Sequence, residues 1–168
     1  MTGVGTLQDA FERIRDAVHP ATNGLTEAEL AFRPDAESNS IAWLVWHLTR
    51  IQDDHVATLA GWPQVWTERG WADRFGLPLD PSDTGYGHDP DAVGTVRADA
   101  GSLLGYFEDV HAATSAFLAT LVDDDLDRVV DRRWDPPVTA GVRLVSVVAD
   151  DLQHVGQAAY LRGLVQRR

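Results

Sequence analysis

The sequence predicts an all-α protein, a four-helix bundle with a long crossover between its second and third helices. Four long segments carry apolar residues at helical spacing, and no two segments alternate as a pair of strands would. A long irregular segment separates the second helix from the third, as bundles with a crossover connection require. At 168 residues the chain suits one domain over residues 1–168, with room for a sizeable core.

The first two helices are marked by capping residues. The first is expected over residues 7–18, with Thr6 as its N-cap and Pro20 just beyond its end. The second is expected over residues 41–60, with Gly61 as its C-terminal stop. Both segments carry an apolar stripe, so both are predicted to pack against the rest of the bundle.

The second half of the chain supplies the crossover and two more helices. Residues 61–90 are rich in Gly, Pro, Asp and Trp and lack a sustained period, and the tryptophans predict that this segment packs against the bundle. The third helix is expected over residues 92–122, with a bend or close packing where three glycines weaken its first half. The fourth is expected over residues 142–165.

Composition excludes several classes of protein. The formal charge of −12, without a basic stripe, argues against a nucleic-acid partner, because the phosphates would be repelled. No apolar run approaches the roughly 20 residues of a membrane span, and the N-terminus lacks the apolar core of a signal peptide. The expected location is therefore the cytoplasm. Cysteine is absent, which excludes disulfides, thiolate metal sites and a cysteine nucleophile.

A metal site is one interpretation of three polar residues. Asp150 and His154 are four residues apart on the fourth helix, so they lie about 40° apart around its axis and one turn apart along it. His47 points along the apolar face of the second helix and is the candidate third ligand. Two other interpretations remain open: a solvated polar face, or an Asp150–His154 ion pair with His47 as a separate core histidine.

The stretches NSIAWLVWHLTRIQDDH at 39–55 and GVRLVSVVADDLQHVGQAAYLRGL at 141–164 resemble the DinB-like superfamily of metal-dependent thiol transferases. This superfamily includes mycothiol and bacillithiol S-transferases and mycothiol-dependent maleylpyruvate isomerases. The resemblance implies a four-helix bundle whose metal ligands are His47, Asp150 and His154. Many members carry histidine or glutamate at the position of Asp150, which is one methylene shorter than glutamate.

The implied function is that of a detoxifying transferase that uses a metal to activate a low-molecular-weight thiol for attack on a small electrophile. Two imidazoles and one carboxylate leave coordination positions open, which is typical of catalytic zinc, although iron(II) and nickel(II) accept the same ligands. Lysine is absent and Ala, Val, Asp and Arg are abundant, as in proteins from GC-rich genomes, which favours mycothiol. Arg143 and Trp43 are the predicted substrate-binding residues, although Arg143 in a salt bridge and Trp43 in core packing are open alternatives.

Two other functions compete with the transferase. One is a non-catalytic metal-binding bundle that acts in stress response, and the other is a mycothiol-dependent isomerase. The family's isomerase usually carries an additional C-terminal domain, whereas this chain ends just after its fourth helix, which favours the transferase. The apolar faces of the bundle also make a homodimer plausible.

Overall fold

The four long helices expected from the sequence form a bundle in the computed structural model, which describes residues 1–167. In chain order the helices are α1 (Gly3–Thr22), α2 (Glu27–Leu30), α3 (Ile41–Ala60), α4 (Val65–Glu68), α5 (Trp71–Phe75), α6 (Pro90–Thr95), α7 (Ala100–Leu118) and α8 (Ala140–Val165). The two strands are β1 (Val129–Asp131) and β2 (Val138–Thr139), and a 3₁₀ helix covers Asp123–Asp127. None of the helices described here is long and apolar enough to cross a membrane.

The bundle consists of α1, α3, α7 and α8, and α7 and α8 each pack against both α1 and α3. Its core is formed by apolar side chains from all four helices: Phe11, Ile14, Leu44, Leu48, Phe107, Leu144 and Val147. Each such side chain contributes about 1.5–3 kcal/mol when it is fully buried. The packing of α3 on α8 is what brings the two candidate segments of the metal site together.

α3 has the bounds that its sequence predicts. The Ser40 side chain accepts a hydrogen bond from the Trp43 backbone N–H at the start of the helix. Gly61 ends the helix with a φ of 71°, a left-handed conformation that glycine adopts without a steric penalty. Most side chains of α3 are buried, because crossover segments cover the face that the other long helices leave free.

α1 is longer than the expected residues 7–18. Its N-cap is Thr2, not Thr6, and the helix continues through Pro20 for two more residues. The prediction that Pro20 lies beyond the helix end was therefore wrong. A proline in the last turn removes a single backbone hydrogen bond, and the burial of Val18, Ala21 and Thr22 offsets that loss.

The third predicted helix, residues 92–122, is two helices separated by a break. Asp99 begins α7 by accepting a hydrogen bond from the Ser102 backbone N–H, and the buried Val96 before it has an extended backbone. The expected close packing occurs at Gly105, where an added Cβ would lie 2.6 Å from the Trp71 ring. α7 also ends at Leu118, earlier than expected.

The short antiparallel sheet was not expected from the sequence. β1 and β2 pair just before α8, with Val129 opposite Thr139. Thr139 also caps α8 by accepting a hydrogen bond from the Val142 backbone N–H. Strands of three and two residues are too short to show an alternating pattern, so local sequence carried no signal for them.

The crossover between α3 and α7 is held on the bundle by the fully buried side chain of Arg50. Its Nε donates to the Asp83 carbonyl at 3.0 Å, and its Nη1 donates to Gln64 Oε1 at 2.8 Å. Its guanidinium also lies over the Trp66 ring, 5.2 Å from the centroid. One arginine thus ties three points of the crossover to α3.

Asp53, one turn after Arg50, binds the crossover at a fourth point. Its carboxylate accepts hydrogen bonds from the backbone N–H groups of Val65 and Trp66, at 2.9 and 2.8 Å, and from the Tyr106 hydroxyl at 2.8 Å. Burial raises the pKa of Asp53, while these hydrogen bonds and Arg50 oppose the rise. The expectation that the crossover packs down is confirmed at Trp66 and Trp71, which are 3% and 7% exposed, but not at Trp62, which is 45% exposed.

Replacing Arg50 with methionine should detach the crossover from α3. The loss leaves the Asp53 carboxylate buried without the cation of its 3.7 Å ion pair, so the free energy of unfolding should fall by about 3–5 kcal/mol. Denaturant unfolding followed by circular dichroism measures the change. The matched control Arg97→Met removes an exposed arginine and should change the free energy of unfolding by less than about 0.5 kcal/mol. Equal effects of the two substitutions would contradict the assigned role of Arg50.

Candidate metal centre

His47 of α3 meets Asp150 and His154 of α8 at the contact between the two helices. One ligand atom from each residue lies within 4.8 Å of the other two. His47 Nε2 is 3.9 Å from Asp150 Oδ2, and His154 Nε2 is 3.6 Å from Asp150 Oδ1. The structure therefore brings together all three residues that the sequence nominated as ligands, and it shows that the shorter aspartate reaches the group.

Both imidazoles are oriented with Nε2 towards Asp150. His47 Nδ1 lies 2.5 Å from the Thr84 carbonyl oxygen, and His154 Nδ1 lies 3.0 Å from Gln157 Oε1. Both partners are acceptors, so each Nδ1 carries the proton and donates it. The lone pair of each neutral ring is then on Nε2, which is the tautomer that a metal ligand needs.

Asp150 completes a donor set that suits a divalent cation. Its Oδ2 atom is buried and has no hydrogen-bond partner within the described structure. A buried carboxylate oxygen without a partner is costly, and a cation between it and two imidazole nitrogens would remove that cost. Two nitrogen ligands and one oxygen ligand fit zinc, iron(II) or nickel(II).

The site lies at the edge of the core and is not a solvated polar face. The side chain of His47 is 6% exposed, and those of His154 and Asp150 are 18% and 33% exposed. One side is thus reachable from solvent while the His47 side is closed. The burial of His47 argues against a solvated polar face, whereas the Asp150–His154 ion pair and the bond from His47 to a carbonyl, which the second interpretation expected, are both present.

Burial and mutual charge set the protonation of the three residues. Burial lowers the pKa of His47, and the Thr84 carbonyl opposes that effect. Burial also disfavours charge on His154, but Asp150 and Gln157 together raise its pKa above the ordinary value. For Asp150, burial is outweighed by His154 and His47, so its pKa is lowered. The carboxylate is ionised at neutral pH, as a ligand must be.

The pKa of the neighbouring Asp151 is shifted in the opposite direction from that of Asp150. Asp151 is fully buried on the core side of α8, and neither carboxyl oxygen has a hydrogen-bond partner within the described structure. Burial and the charge of Asp150 raise its pKa well above the usual value. Two adjacent aspartates therefore differ in ionisation, because one faces the site and the other faces the core.

Trp43 forms one wall of the site. Its ring stacks on His47 with centroids 4.5 Å apart, and its edge meets the His154 ring at 6.0 Å. Its Nε1–H donates to His88 Nδ1 at 3.1 Å, and His88 Nε2 lies 3.0 Å from the Asp83 carboxylate. Trp43 is thus next to the predicted ligands, where its contacts hold the His47 ring in place.

Residues 83–88 of the crossover cover the closed side of His47. Thr84 supplies the carbonyl for His47 Nδ1, and Gly85 follows it with a φ of 87°. A Cβ at Gly85 would lie 2.8 Å from His47 Nδ1 and 2.9 Å from the Trp46 ring. Glycine is required here both for its backbone conformation and for this close approach.

Arg143 does not contact the three ligands and lies beside a cavity of about 340 Å³ near them. Its Nη2 donates to Asp131 Oδ2 at 3.3 Å, while Arg133 binds both oxygens of the same carboxylate. The Arg133 and Arg143 guanidinium groups hold the pKa of Asp131 far below its usual range. Arg143 therefore forms a salt bridge, which was the open alternative to substrate binding. This hydrogen bond uses one N–H group of a guanidinium that has several.

His55 is a second titratable residue of this cavity. It lines the cavity together with Arg143. Burial lowers the pKa of His55, and Arg143 lowers it further, whereas Asp54 and Asp150 oppose the effect. His55 therefore lies within electrostatic reach of both Arg143 and the ligand Asp150.

Sequence reasoning missed the residues that orient the ligands. Gln157 is one turn after His154 on the same helix, so its spacing was a usable signal. Thr84 contributes a backbone carbonyl, which any residue possesses, and no sequence pattern identifies it. His88, in an irregular loop, also gave no local sign that it would bond Trp43.

The sequence matches the DinB superfamily over residues 10–158, a range that contains all three candidate ligands. No curated protein matches it. Among solved structures, the chain is similar to one described as a conserved protein of a locus from Enterococcus faecalis. The two are 30% identical with a TM-score of 0.92, and the comparison covers 100% of this chain and 99% of that chain.

The purified protein should bind one divalent cation per chain through the three ligands. His154→Ala and Asp150→Ala should each weaken binding by more than about 100-fold, because changes outside the coordination shell alone cost about 10–100-fold. Competition with a chromophoric chelator gives the affinity of Zn²⁺ and Co²⁺. His19→Gln, which alters a histidine paired with Glu108 on the opposite side of the bundle, serves as the control. Unchanged affinity in Asp150→Ala would remove that residue from the ligand set.

Gly85→Ala should weaken cation binding by about 10–100-fold, because the new methyl group would displace the His47 ring from Thr84. Gly87→Ala is a matched control, since Gly87 also has a positive φ, of 78°, but an added Cβ there meets nothing within 4 Å. Chelator competition on both variants separates displacement of His47 from backbone strain. Equal losses in the two variants would assign the effect to strain alone.

Proposed function

Because the chain belongs to the DinB superfamily, we propose that it is a metal-dependent transferase that joins a low-molecular-weight thiol to a small electrophile. The observation that carries the proposal is the convergence of His47 Nε2, His154 Nε2 and an Asp150 oxygen within 4.8 Å. Hydrogen bonds to both Nδ1 atoms orient the two imidazole rings so that each Nε2 faces the position a cation would occupy. The exposed side of the site leaves room for a substrate.

His47, Asp150 and His154 would hold the cation; we propose zinc, and iron(II) and nickel(II) accept the same ligand types. A bound cation supplies positive charge that lowers the pKa of a nearby thiol, so that the thiol reacts as a thiolate at neutral pH. The sulfur forms a bond to the electrophilic carbon, and the leaving group departs with its electron pair. The proton of the thiol goes to solvent, so thiol and electrophile yield a thioether, the leaving group as its anion and one proton.

The protein's own residues orient the reactants. Trp43 closes one side of the site and keeps His47 from rotating. Arg143, whose guanidinium faces the cavity beside His55, is suited to bind a carboxylate of the electrophile. Arg143 and Asp150 are seven residues apart on α8, about 10 Å along the axis, which matches the length of a substituted aromatic electrophile.

Mycothiol is the proposed thiol, supported by the composition of the chain, which lacks lysine and cysteine. Without cysteine, no thiol of the protein competes for the cation. The isomerase and the non-catalytic metal-binding bundle use the same three ligands. They differ from the transferase in whether thiol is consumed.

The transferase should consume thiol only when it is metal-loaded. We expect the Zn²⁺-loaded protein to accelerate conjugation of mycothiol to monobromobimane, and His154→Ala to lose this activity. Glutathione and bacillithiol are tested in parallel, with His19→Gln as the control variant. Metal binding with no consumption of any of the three thiols would reject the transferase. Conversion of maleylpyruvate without net loss of thiol would assign the isomerase instead.

Arg143→Gln should lower kcat/KM for an anionic electrophile and spare a neutral one. The matched pair is 4-chloro-3-nitrobenzoate and 4-chloro-3-nitrobenzamide, which share the reacting carbon and lose chloride alike. Loss of a charged hydrogen bond should reduce kcat/KM for the benzoate by about 10–100-fold, an energy of about 1.5–3 kcal/mol. Equal losses for both compounds would show that Arg143 supports the fold and not the carboxylate.

A further inference from the structure

The outward face of α8 is uncharged over most of its length, and the rest of the described chain leaves it open. Ten residues of α8 between Val142 and Tyr160 are exposed, and none of them is charged. The larger ones keep about half or more of their surface in solvent: Val142 53%, Val145 58%, Leu152 46% and Tyr160 67%. In a chain in which 24% of the residues are charged, a long exposed face without charge indicates a protein interface.

The small and apolar residues of this face follow a seven-residue repeat. Seven positions, here called the outer stripe, alternate in spacing between three and four residues and lie within an arc of about 100° around the helix axis: Val142, Val145, Ala149, Leu152, Gly156, Ala159 and Gly163. This spacing is typical of a helix that packs along its length against one other helix. α8 already packs against α1 and α3, so the outer stripe is additional to the packing of the bundle.

Two glycines of the outer stripe have no explanation within a single chain. Gly156 and Gly163 lie inside α8, where glycine is less favourable than alanine. An added Cβ at Gly156 would meet nothing within 4 Å, and the nearest atoms to one at Gly163 belong to the Arg167 guanidinium. Glycine in a helix that has room for a side chain indicates the close approach of another molecule.

We propose that the outer stripe packs against the outer stripe of a second copy, so that the protein forms an antiparallel two-fold dimer through α8. An antiparallel alignment centred on position 154 pairs the stripe residues in layers of complementary size: Leu152 with Gly156, Val145 with Gly163, and Ala149 with Ala159. Each layer then holds one larger side chain with a glycine, or two alanines. A parallel pair would instead place Gly156 opposite Gly156 and Leu152 opposite Leu152, with a void in one layer and crowding in the next.

The charges at the two ends of the outer stripe favour the same arrangement. Arg167 is exposed at the C-terminal end of α8. The acidic 3₁₀ helix lies at the N-terminal end, where an added Cβ at Gly141 would meet the Leu126 carbonyl oxygen at 3.2 Å. Asp124 and Asp127 of this 3₁₀ helix are exposed. The antiparallel alignment places Arg167 of one copy opposite Gly141 of the other, beside these carboxylates, whereas a parallel pair would bring like charges together.

Cysteine cross-linking tests the alignment, because the natural chain has no cysteine. Ala149→Cys mixed with isotope-labelled Ala159→Cys should form a disulfide between the two variants, which mass spectrometry detects. Neither variant alone should cross-link, since the two copies of its cysteine would lie about 15 Å apart along the helix axis. Ala112→Cys, at an exposed alanine of α7, replaces Ala149→Cys in the matched control and should give no mixed disulfide.

Sedimentation velocity over a wide range of protein concentration measures the association itself. The wild type should form a dimer. Gly156→Leu should weaken the dimer by about ten-fold or more, because the new side chain collides with Leu152 of the second copy in both symmetry-related layers. Adding Leu152→Ala to Gly156→Leu should restore the dimer, since the large and small residues then exchange positions. Arg167→Glu should weaken the dimer, because it places a negative charge beside the acidic 3₁₀ helix.

A wild type that stays monomeric at every concentration would overturn the proposal. Self-cross-linking of Ala149→Cys would indicate a parallel pair, and a dimer that neither responds to Gly156→Leu nor gives the mixed disulfide would use another face; each result would overturn it too. If Gly156→Leu does not fold, the mixed disulfide decides. The candidate metal ligands are not part of the outer stripe, so the results should be the same with and without Zn²⁺ and do not depend on the transferase.

Discussion

The candidate metal centre depends on the buried guanidinium of Arg50, although this residue is not one of the candidate ligands. Arg50 is fully buried and donates to the backbone carbonyl of Asp83, the residue immediately before the one whose carbonyl fixes His47. A buried charge is tolerated only when it is well bonded, and the crossover supplies the oxygens that satisfy it. The crossover thus adopts the path that places Thr84 and Gly85 against the His47 ring.

The centre itself is organised by hydrogen bonds outside the ligand set. Each histidine has one nitrogen bound to an acceptor, from the crossover in one case and from Gln157 in the other. These bonds select the tautomer before any cation arrives, which reduces the reorganisation that binding requires. Trp43 adds a rigid wall, because its stacking on His47 and its bond to His88 restrict both rings. The buried Oδ2 atom of Asp150 has no hydrogen-bond partner among the described residues, and a bound cation would supply one interaction to it.

The packing of α3 on α8 gives the centre two chemically different sides. One cavity is flanked by Arg133, Arg143 and His55, and the other groove is lined by amide and hydroxyl side chains together with the apolar residues Pro34, Leu44 and Leu161. The charged side suits an anionic ligand, because guanidinium groups bind carboxylates through paired hydrogen bonds.

The sequence by itself determined the four-helix bundle and the bounds of α3, and it singled out His47, Asp150 and His154 as candidate ligands. These follow from local patterns: apolar periodicity, the Ser40 and Gly61 caps, and the four-residue spacing of Asp150 and His154. The sequence did not determine that α1 continues through Pro20 or that the chain leaves the helix at Val96, because burial by other elements decided both. Tertiary structure alone decided that Thr84, Gly85 and His88 would support His47, because these contacts join positions 37 to 45 residues apart. The spacing of residues along one helix predicts which side chains share a face of that helix. A backbone carbonyl in a distant loop leaves no pattern in the sequence, so only the folded chain, held by Arg50, shows which residue it contacts.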